Sequence, residues 1–534
     1  MSTNRRQFIK KAGIGIAGVG IGGLGSTGVG VDSLFSRSRP WWSIDDLSDL
    51  PRASPESQGV SSEAIRQFVA AANASGISWH SFMLVRHGHV VAEGWWKPFE
   101  SRLVHSLYSL SKSFTSTAIG LLVAEGKLDI HKPLISFFPK DLPPNPSDNL
   151  KQMTVRSLLT MNTGHGEDTM PKMRASKDSS WVRVYLAQPV EFAPGTHFFY
   201  NTGNTYMLGA IIYKLTGKTL EQYLTPRLFE PLGISGYDWE TSPQGLNTGG
   251  YGLRVKTEDI AKLGQMYLQK GNWMGRTILP AAWVEEATSF QTTSQVNNGD
   301  WSQGYGYQFW RCTHGFYRGD GAFGQFCIVM PELDAVLAVT SQSPDMQKSM
   351  NIIWDHLPVG MQPGVLPENV SGLLALKQEL AALRLPVVMG SVGSRLSSHY
   401  DKQKWTLAPN EFGAKTLQFD FSATGCLLHV ETANKTVTIE FAWQGWKSNE
   451  ARESYVFKTG DMFPMPSRIA GSAGWIDDHT VQLKARFVEA IFGDSIKCEF
   501  LDDQLTVGFL NTVAETTPNK PDPRKSLLGV MKTP

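Results

Sequence analysis

Four cysteines among 534 residues, none in a C-x-x-C pair, are too few for a disulfide scaffold and lack the spacing of a zinc or dithiol site. Cys312 and Cys327 fall in one expected domain and Cys426 and Cys498 in another, so one bridge in each stays open. Charge of one sign is also missing. Lys and Arg number 50 against 49 Asp and Glu, a formal charge of +1, which offers no electrostatic footing for nucleic acid or an anionic membrane surface. The chain has no H-E-x-x-H, which excludes that class of zinc hydrolase, and no G-x-S-x-G, which excludes the strand–elbow–helix nucleophile of the α/β-hydrolases. The uncharged stretch from Ala12 to Val31 is interrupted by glycines throughout, which makes it a poor transmembrane helix.

What is present begins at the N-terminus. Arg5-Arg6-Gln7-Phe8-Ile9-Lys10, with the weakly apolar stretch behind it, resembles a twin-arginine export signal, whose substrates cross a membrane already folded. The expectation is a periplasmic or otherwise extracytoplasmic protein with no stable membrane span after export. Residues 1–31 are read as the signal and 32–50 as a polar lead-in. No clear cleavage site ends the signal.

Length alone requires more than one core. Phe82 to Trp96 reads as a β-hairpin turning at His87-Gly88-His89; the turn reading is preferred to half a metal site because no third ligand stands nearby. Apolar residues at helical spacing (Phe114, Ala118, Leu121, Leu122) predict a helix over 109–125, closed by Gly126. Further helices are expected at 155–161, 205–215, 257–268 and 280–288, and strands at 305–311, 326–330 and 336–340. Strand, helical block, then strands is an α+β order, with one sheet built from both ends of the segment 51–357. Residues 358–385 read as a linker with a helix at 373–383. From 386 to 534, short alternating runs such as Thr436-Val-Thr-Ile-Glu-Phe441 predict an all-β sandwich or small barrel with one wet face and no chemistry of its own.

Ser109-Leu110-Ser111-Lys112 is the chain's only S-x-x-K, a pattern expected about once or twice by chance in a sequence this rich in Ser and Lys. Its setting gives it weight. Ser109 stands at a helix start, where unpaired N–H groups favour developing negative charge, and Lys112 lies one turn on along the same face. A serine hydroxyl needs a base, and a desolvated lysine can supply one.

From Tyr108 onward, Tyr-Ser-Leu-Ser-Lys-Ser-Phe-Thr115 resembles the active-site helix of the β-lactamase-related serine hydrolases: class C β-lactamases, DD-peptidases, family VIII esterases and 6-aminohexanoate-dimer hydrolases. The likeness continues in order through Thr154 to Gly164, Pro194 to Thr202, Gly249 to Leu253, and Gly321-Ala322-Phe323-Gly324-Gln325. It implies a β-lactamase/penicillin-binding-protein-like fold, an antiparallel sheet with a helical domain, and no cofactor or metal. Ser109 would be the acylated nucleophile and Lys112 its base. Tyr200, in Tyr200-Asn201-Thr202, would be the phenolic partner of Lys112, with a plain core aromatic as the rival reading; Thr202 replaces the usual Asn.

The third motif maps to Gly319-Asp320-Gly321, with the N–H groups of Ser109 and Ala322 as the oxyanion hole. Thr202, Asp320 and Gly321 are the expected substrate-binding positions. The usual cationic first residue is missing, and Arg318 stands one place earlier as a substitute. Two literal motifs are set aside: Ser147-Asp148-Asn149 as a turn, and Lys458-Thr459-Gly460 as a chance loop. Since the carboxylate of a β-lactam or D-Ala-D-Ala peptide normally binds the cation absent here, uncharged esters or amides are favoured over such anions. DD-peptidase or β-lactamase action, and an inactive envelope-binding module, are the alternatives. The partner expected is a small-molecule or peptide substrate; oligomeric state is open.

Overall fold

The computed structural model describes residues 49–531, apart from 295, 297–298, 454, 459–464 and 518–520. The export-signal reading, most of the lead-in and two residues of Lys458-Thr459-Gly460 lie outside the described residues.

Strands β1 (Ser78–Arg86) and β2 (His89–Trp95) form the expected hairpin. His87 and Gly88 both take positive φ, 50° and 75°, the two left-handed residues of a tight turn whose twist suits antiparallel strands. His87 Nδ1 lies 2.7 Å from Asp334 Oδ2. The sheet is completed 215 residues later by β3 (Trp310–Arg311), β4 (Tyr317–Gly321), β5 (Gln325–Met330) and β6 (Ala335–Gln342), in the order β2-β1-β6-β5-β4-β3. All pairs are antiparallel, with β1 against β6 running from Ser78↔Gln342 to Arg86↔Ala335. β5 and β6 are buried at every position, which requires cover on both faces. Helices α1 (Ser62–Ala74) and α5 (Met346–His356) share one apolar core with the sheet. Helices α2 (Ser111–Ala124), α3 (Thr202–Thr216) and α4 (Thr257–Leu268) share the other.

The strand expected at 305–311 is reduced to Trp310–Arg311. Its first half is held differently: Ser116 Oγ donates to Tyr307 O at 2.7 Å and Ser113 Oγ to Gln308 O at 3.0 Å, so hydroxyls of α2 take carbonyls that a ladder would otherwise use. Ser147 caps a short helix, Asp148–Gln152, accepting from Leu150 N at 3.1 Å, in place of the simple turn expected there. The segment read as a linker is packed. Its helix α6 (Val370–Ala381) lies against α1, and Arg66 Nη2 donates to Glu379 Oε1 at 2.7 Å.

The C-terminal region is a barrel. Its strands are β7 (Lys404–Leu407), β8 (Ala414–Phe421), β9 (Gly425–Thr432), β10 (Thr436–Trp443), β11 (Lys447–Glu453), β12 (Ser467–Trp475), β13 (Thr480–Phe487), β14 (Gly493–Leu501), β15 (Gln504–Asn511) and β16 (Leu527–Met531). Nine run in the order β10-β9-β8-β7-β16-β15-β14-β13-β12, and a short parallel pairing of β10 with β12 closes them, with β11 alongside β12. Alternate residues point inward, placing Trp405, Phe419, Phe441, Trp475 and Phe500 in one core. All four cysteines are buried free thiols. No described helix is long and apolar enough to cross a membrane.

Candidate active site

Tyr108–Leu110 forms a 3-10 turn that runs directly into α2, so Ser109 sits in the turn just ahead of the helix. Tyr108 carries φ 49°, a left-handed conformation that costs a non-glycine residue about 1–3 kcal/mol and is tolerated where surrounding structure over-determines it. Ser109 is half-buried and Lys112 is 1% exposed. Lys112 Nζ donates to Ser109 Oγ at 2.9 Å and to Gly250 O at 2.9 Å. Burial pushes the Lys112 ammonium down to about 7, while the carboxylates of Asp168 and Asp320 pull the other way.

The Tyr200 hydroxyl faces Ser109, which opposes the rise that burial gives its phenol. Its ring lies 4.8 Å from Lys112 Nζ and stacks on Trp310 with centroids 5.5 Å apart. Burial pushes the phenol up from its ordinary value, so near neutrality it is an O–H group and not a phenolate. Asn201, between Tyr200 and Thr202, is fully buried and caps α3, its Oδ1 accepting from Gly203 N at 2.9 Å. Thr202 N donates to Asp168 Oδ1, also at 2.9 Å.

The third-motif strand lies flush against the Ser109 turn. A Cβ added at Gly321 would stand 2.1 Å from Leu107 O, and one at Gly319 would stand 2.3 Å from Leu110 Cδ1, so only glycine allows this approach. Among the described residues, neither the Ser109 nor the Ala322 N–H donates a backbone hydrogen bond, which suits the oxyanion role expected of them. Arg318 does not substitute for the missing cation. It is fully buried, with its guanidinium 4.5 Å over the Trp301 ring, and donates to Asp320 Oδ2 at 2.9 Å and Arg311 O at 3.1 Å. Asp320 is thereby committed to Arg318, a pairing that neutralises both charges.

A cavity of about 600 Å³ opens on Ser109 and Thr202. Lys112, Tyr200, Asp320, Gly321 and Ala322 are not on its wall. The wall instead includes Asp168, Met170, Arg174 and Glu240, none of which carried a motif in the sequence, and Tyr251, which lies in the Gly249 to Leu253 run but had no role assigned. Gly250, which positions Lys112, did lie in a recognisable glycine-rich run but had no role assigned.

The barrel forms the facing wall, through Met465, Ser467, Phe487, Ala490 and Phe492. The sequence left open whether the C-terminal region covers one rim of the cleft or aids dimerisation; in the structure it lines the cleft. The β13–β14 turn is pinned beside the candidate nucleophile: Ser106 N and Oγ both donate to Glu489 O, at 3.0 and 3.2 Å. The Glu489 side chain, fully buried, accepts from Arg452 Nη2 and Arg468 Nη1, each at 2.6 Å. Arg452 Nη1 also reaches Asp238 Oδ2 at 3.0 Å, Asp238 clamps Arg254 at 2.5 and 2.6 Å, and Arg254 Nη1 donates to Pro466 O at 2.9 Å.

No group of three or more His, Cys, Asp or Glu among the described residues is placed to hold a metal ion. His89 Nδ1 instead lies 2.9 Å from His87 O, within the hairpin turn.

Residues 62–357 match the family model described as Beta-lactamase. The 6-aminohexanoate-dimer hydrolase of Paenarthrobacter ureafaciens is 25% identical over 308 residues, covering 54% of this chain and 76% of its own length. A Beta-lactamase of Escherichia coli (strain K12) is 24% identical over 232 residues, covering 40% of this chain and 59% of its own. Among solved structures, the octameric penicillin-binding protein homologue from Pyrococcus abyssi aligns over 87% of this chain and 99% of its own, at 16% identity and a TM-score of 0.46.

Proposed function

The chain belongs to the Beta-lactamase family, and from that premise we propose that it is an exported serine hydrolase that cleaves an uncharged ester or amide through an acyl-enzyme on Ser109. The observation that carries this reading is the 2.9 Å contact of an enclosed Lys112 with Ser109, in an environment that brings the lysine down to about 7. At that value a large fraction is neutral amine at physiological pH, the form that can accept a proton.

Neutral Lys112 takes the Ser109 proton as Oγ attacks the carbonyl carbon. The carbonyl oxygen becomes an oxyanion, held by the Ser109 and Ala322 N–H groups. Collapse breaks the bond to the leaving group, which takes its proton from Lys112 through the Tyr200 hydroxyl. Tyr200 acts as a donor and relay because its phenol stays protonated. Water then attacks the acyl-enzyme with the same groups in reverse, releasing the acid and free Ser109.

Ester or amide hydrolysis is favoured over β-lactamase or DD-peptidase action by the Arg318–Asp320 pair. Where a substrate carboxylate would be received, the cation is enclosed and already neutralised, so a charge-assisted bond to the substrate is not on offer. The experiment is a panel of short esters, nitrocefin and a D-Ala-D-Ala peptide, with wild type and Ser109→Ala. Ester turnover abolished by Ser109→Ala supports the reading; esterase activity retained in that variant refutes it. The twin-arginine stretch supports export, tested by whether Arg5→Lys with Arg6→Lys retains the protein in the cytoplasm.

A further inference from the structure

We infer that the barrel selects the substrate: its β13–β14 turn builds an apolar subsite that takes a bulky hydrophobic group adjoining the scissile carbonyl. This rests on the hydrolase reading above and adds the class of substrate. The two walls of the cavity differ in chemistry. The wall from the β-lactamase-like part mixes the charged Asp168, Arg174, Glu240 and Arg254 with apolar residues such as Met170 and Pro171, whereas the barrel side is apolar at Met465, Phe487, Ala490 and Phe492, with Ser467 its one polar residue. A volume of about 600 Å³ is far more than an acetyl or methyl group fills, and a cleft of this size with one apolar wall gains binding energy mainly by enclosing apolar surface.

The barrel wall is also held in place. Glu489, at the centre of the turn, hands its carbonyl to both donors of Ser106, three residues before Ser109. Its buried carboxylate is gripped by two arginines from neighbouring strands, and its own N–H donates to Ser467 Oγ at 3.3 Å. Val488, the preceding residue, is buried in the core that the sheet shares with α1 and α5. A turn anchored at its backbone, its side chain and its neighbour is a fixed wall, and fixed walls discriminate between substrates by fit. Ala490 and Phe492 are half-buried, with surface on the cavity and a second side packed against the barrel core, so loss of packing would show as equal losses on every ester.

The test compares methyl acetate, methyl phenylacetate and benzyl acetate by acid release in a pH-stat, using the full chain as wild type, Phe492→Ala, Ala490→Trp and Ser109→Ala. Wild type is expected to turn over at least one aryl ester with kcat/KM about tenfold or more above methyl acetate, in line with what apolar pockets discriminate. Phe492→Ala removes part of the wall and Ala490→Trp fills the space. Each should cut that preference about fivefold or more, while methyl acetate changes less than about twofold. Absence of an aryl preference in wild type, its survival in both variants, or equal losses on all three esters would overturn the inference, the last by showing only a structural role. Failure of the hydrolase reading is distinguishable, because it appears as ester turnover that Ser109→Ala leaves intact or as no turnover of any ester by wild type.

Discussion

Lys112 Nζ stands 2.9 Å from Ser109 Oγ and the same distance from Gly250 O, so one amine is held between the proposed nucleophile and a backbone carbonyl more than a hundred residues away. That double contact fixes the amine on the hydroxyl, and the enclosure that removes water from it lowers its proton affinity.

The pH profile follows from Lys112. Its ammonium loses its proton at about 7, and the neutral form is the active one, so kcat/KM should rise with pH through an acid limb near 7. Asp168 favours the charged form. Asp168→Asn keeps an acceptor for Thr202 N but removes that charge, so the limb should move to lower pH. A limb that stays in place or moves upward contradicts the role given to the lysine.

Tyr200→Phe keeps the ring on Trp310 and deletes only the hydroxyl that meets Ser109. A lost proton relay costs about 10²–10⁴-fold, so kcat should fall on that scale with KM nearly unchanged. A change confined to KM points to a packing role for the ring.

Gly321→Ala puts a methyl group 2.1 Å from Leu107 O. The strand and the Ser109 turn must then separate, displacing Ala322 from the oxyanion position. A misplacement near 1 Å costs about 10²-fold in rate, so kcat/KM should drop by about that factor, as steady-state ester kinetics can show.

Glu489→Ala leaves Arg452 and Arg468 facing each other without their shared carboxylate. Breaking a fully enclosed pair costs about 3–5 kcal/mol; both arginines are partly open to water, so about 2–3 kcal/mol is expected here. Denaturant unfolding measures it, and a change under about 0.5 kcal/mol, typical of a surface substitution, would show that the Glu489 carboxylate does not anchor the turn.

What the sequence made legible was local. Ser109 and Lys112 are three residues apart at a helix start, so their contact follows from helical geometry once the helix is read. The His87-Gly88 turn is likewise a two-residue event, and the period-two runs beyond 386 marked the C-terminal strands. Sandwich against barrel was not legible, because closure depends on the pairing of Ala442 with Ser472 and of Trp443 with Ala473, which no strand pattern contains. The strand expected at 305–311 failed for a related reason: its aromatic alternation is real, but its carbonyls are taken by serines of α2, about 190 residues earlier. The barrel's share of the cleft was the least accessible, since Ser106 and Glu489 are 383 residues apart and neither belongs to a motif.

The most direct measurement is peptide mapping by mass spectrometry after reaction of the full chain with a fluorophosphonate, in which serine displaces fluoride and retains the phosphonyl group. Attachment to Ser109 is expected, with labelling that weakens below pH 7 and is lost in Lys112→Met. Attachment elsewhere, or labelling of Ser109 that is indifferent to Lys112, would contradict an acyl-enzyme formed by this pair.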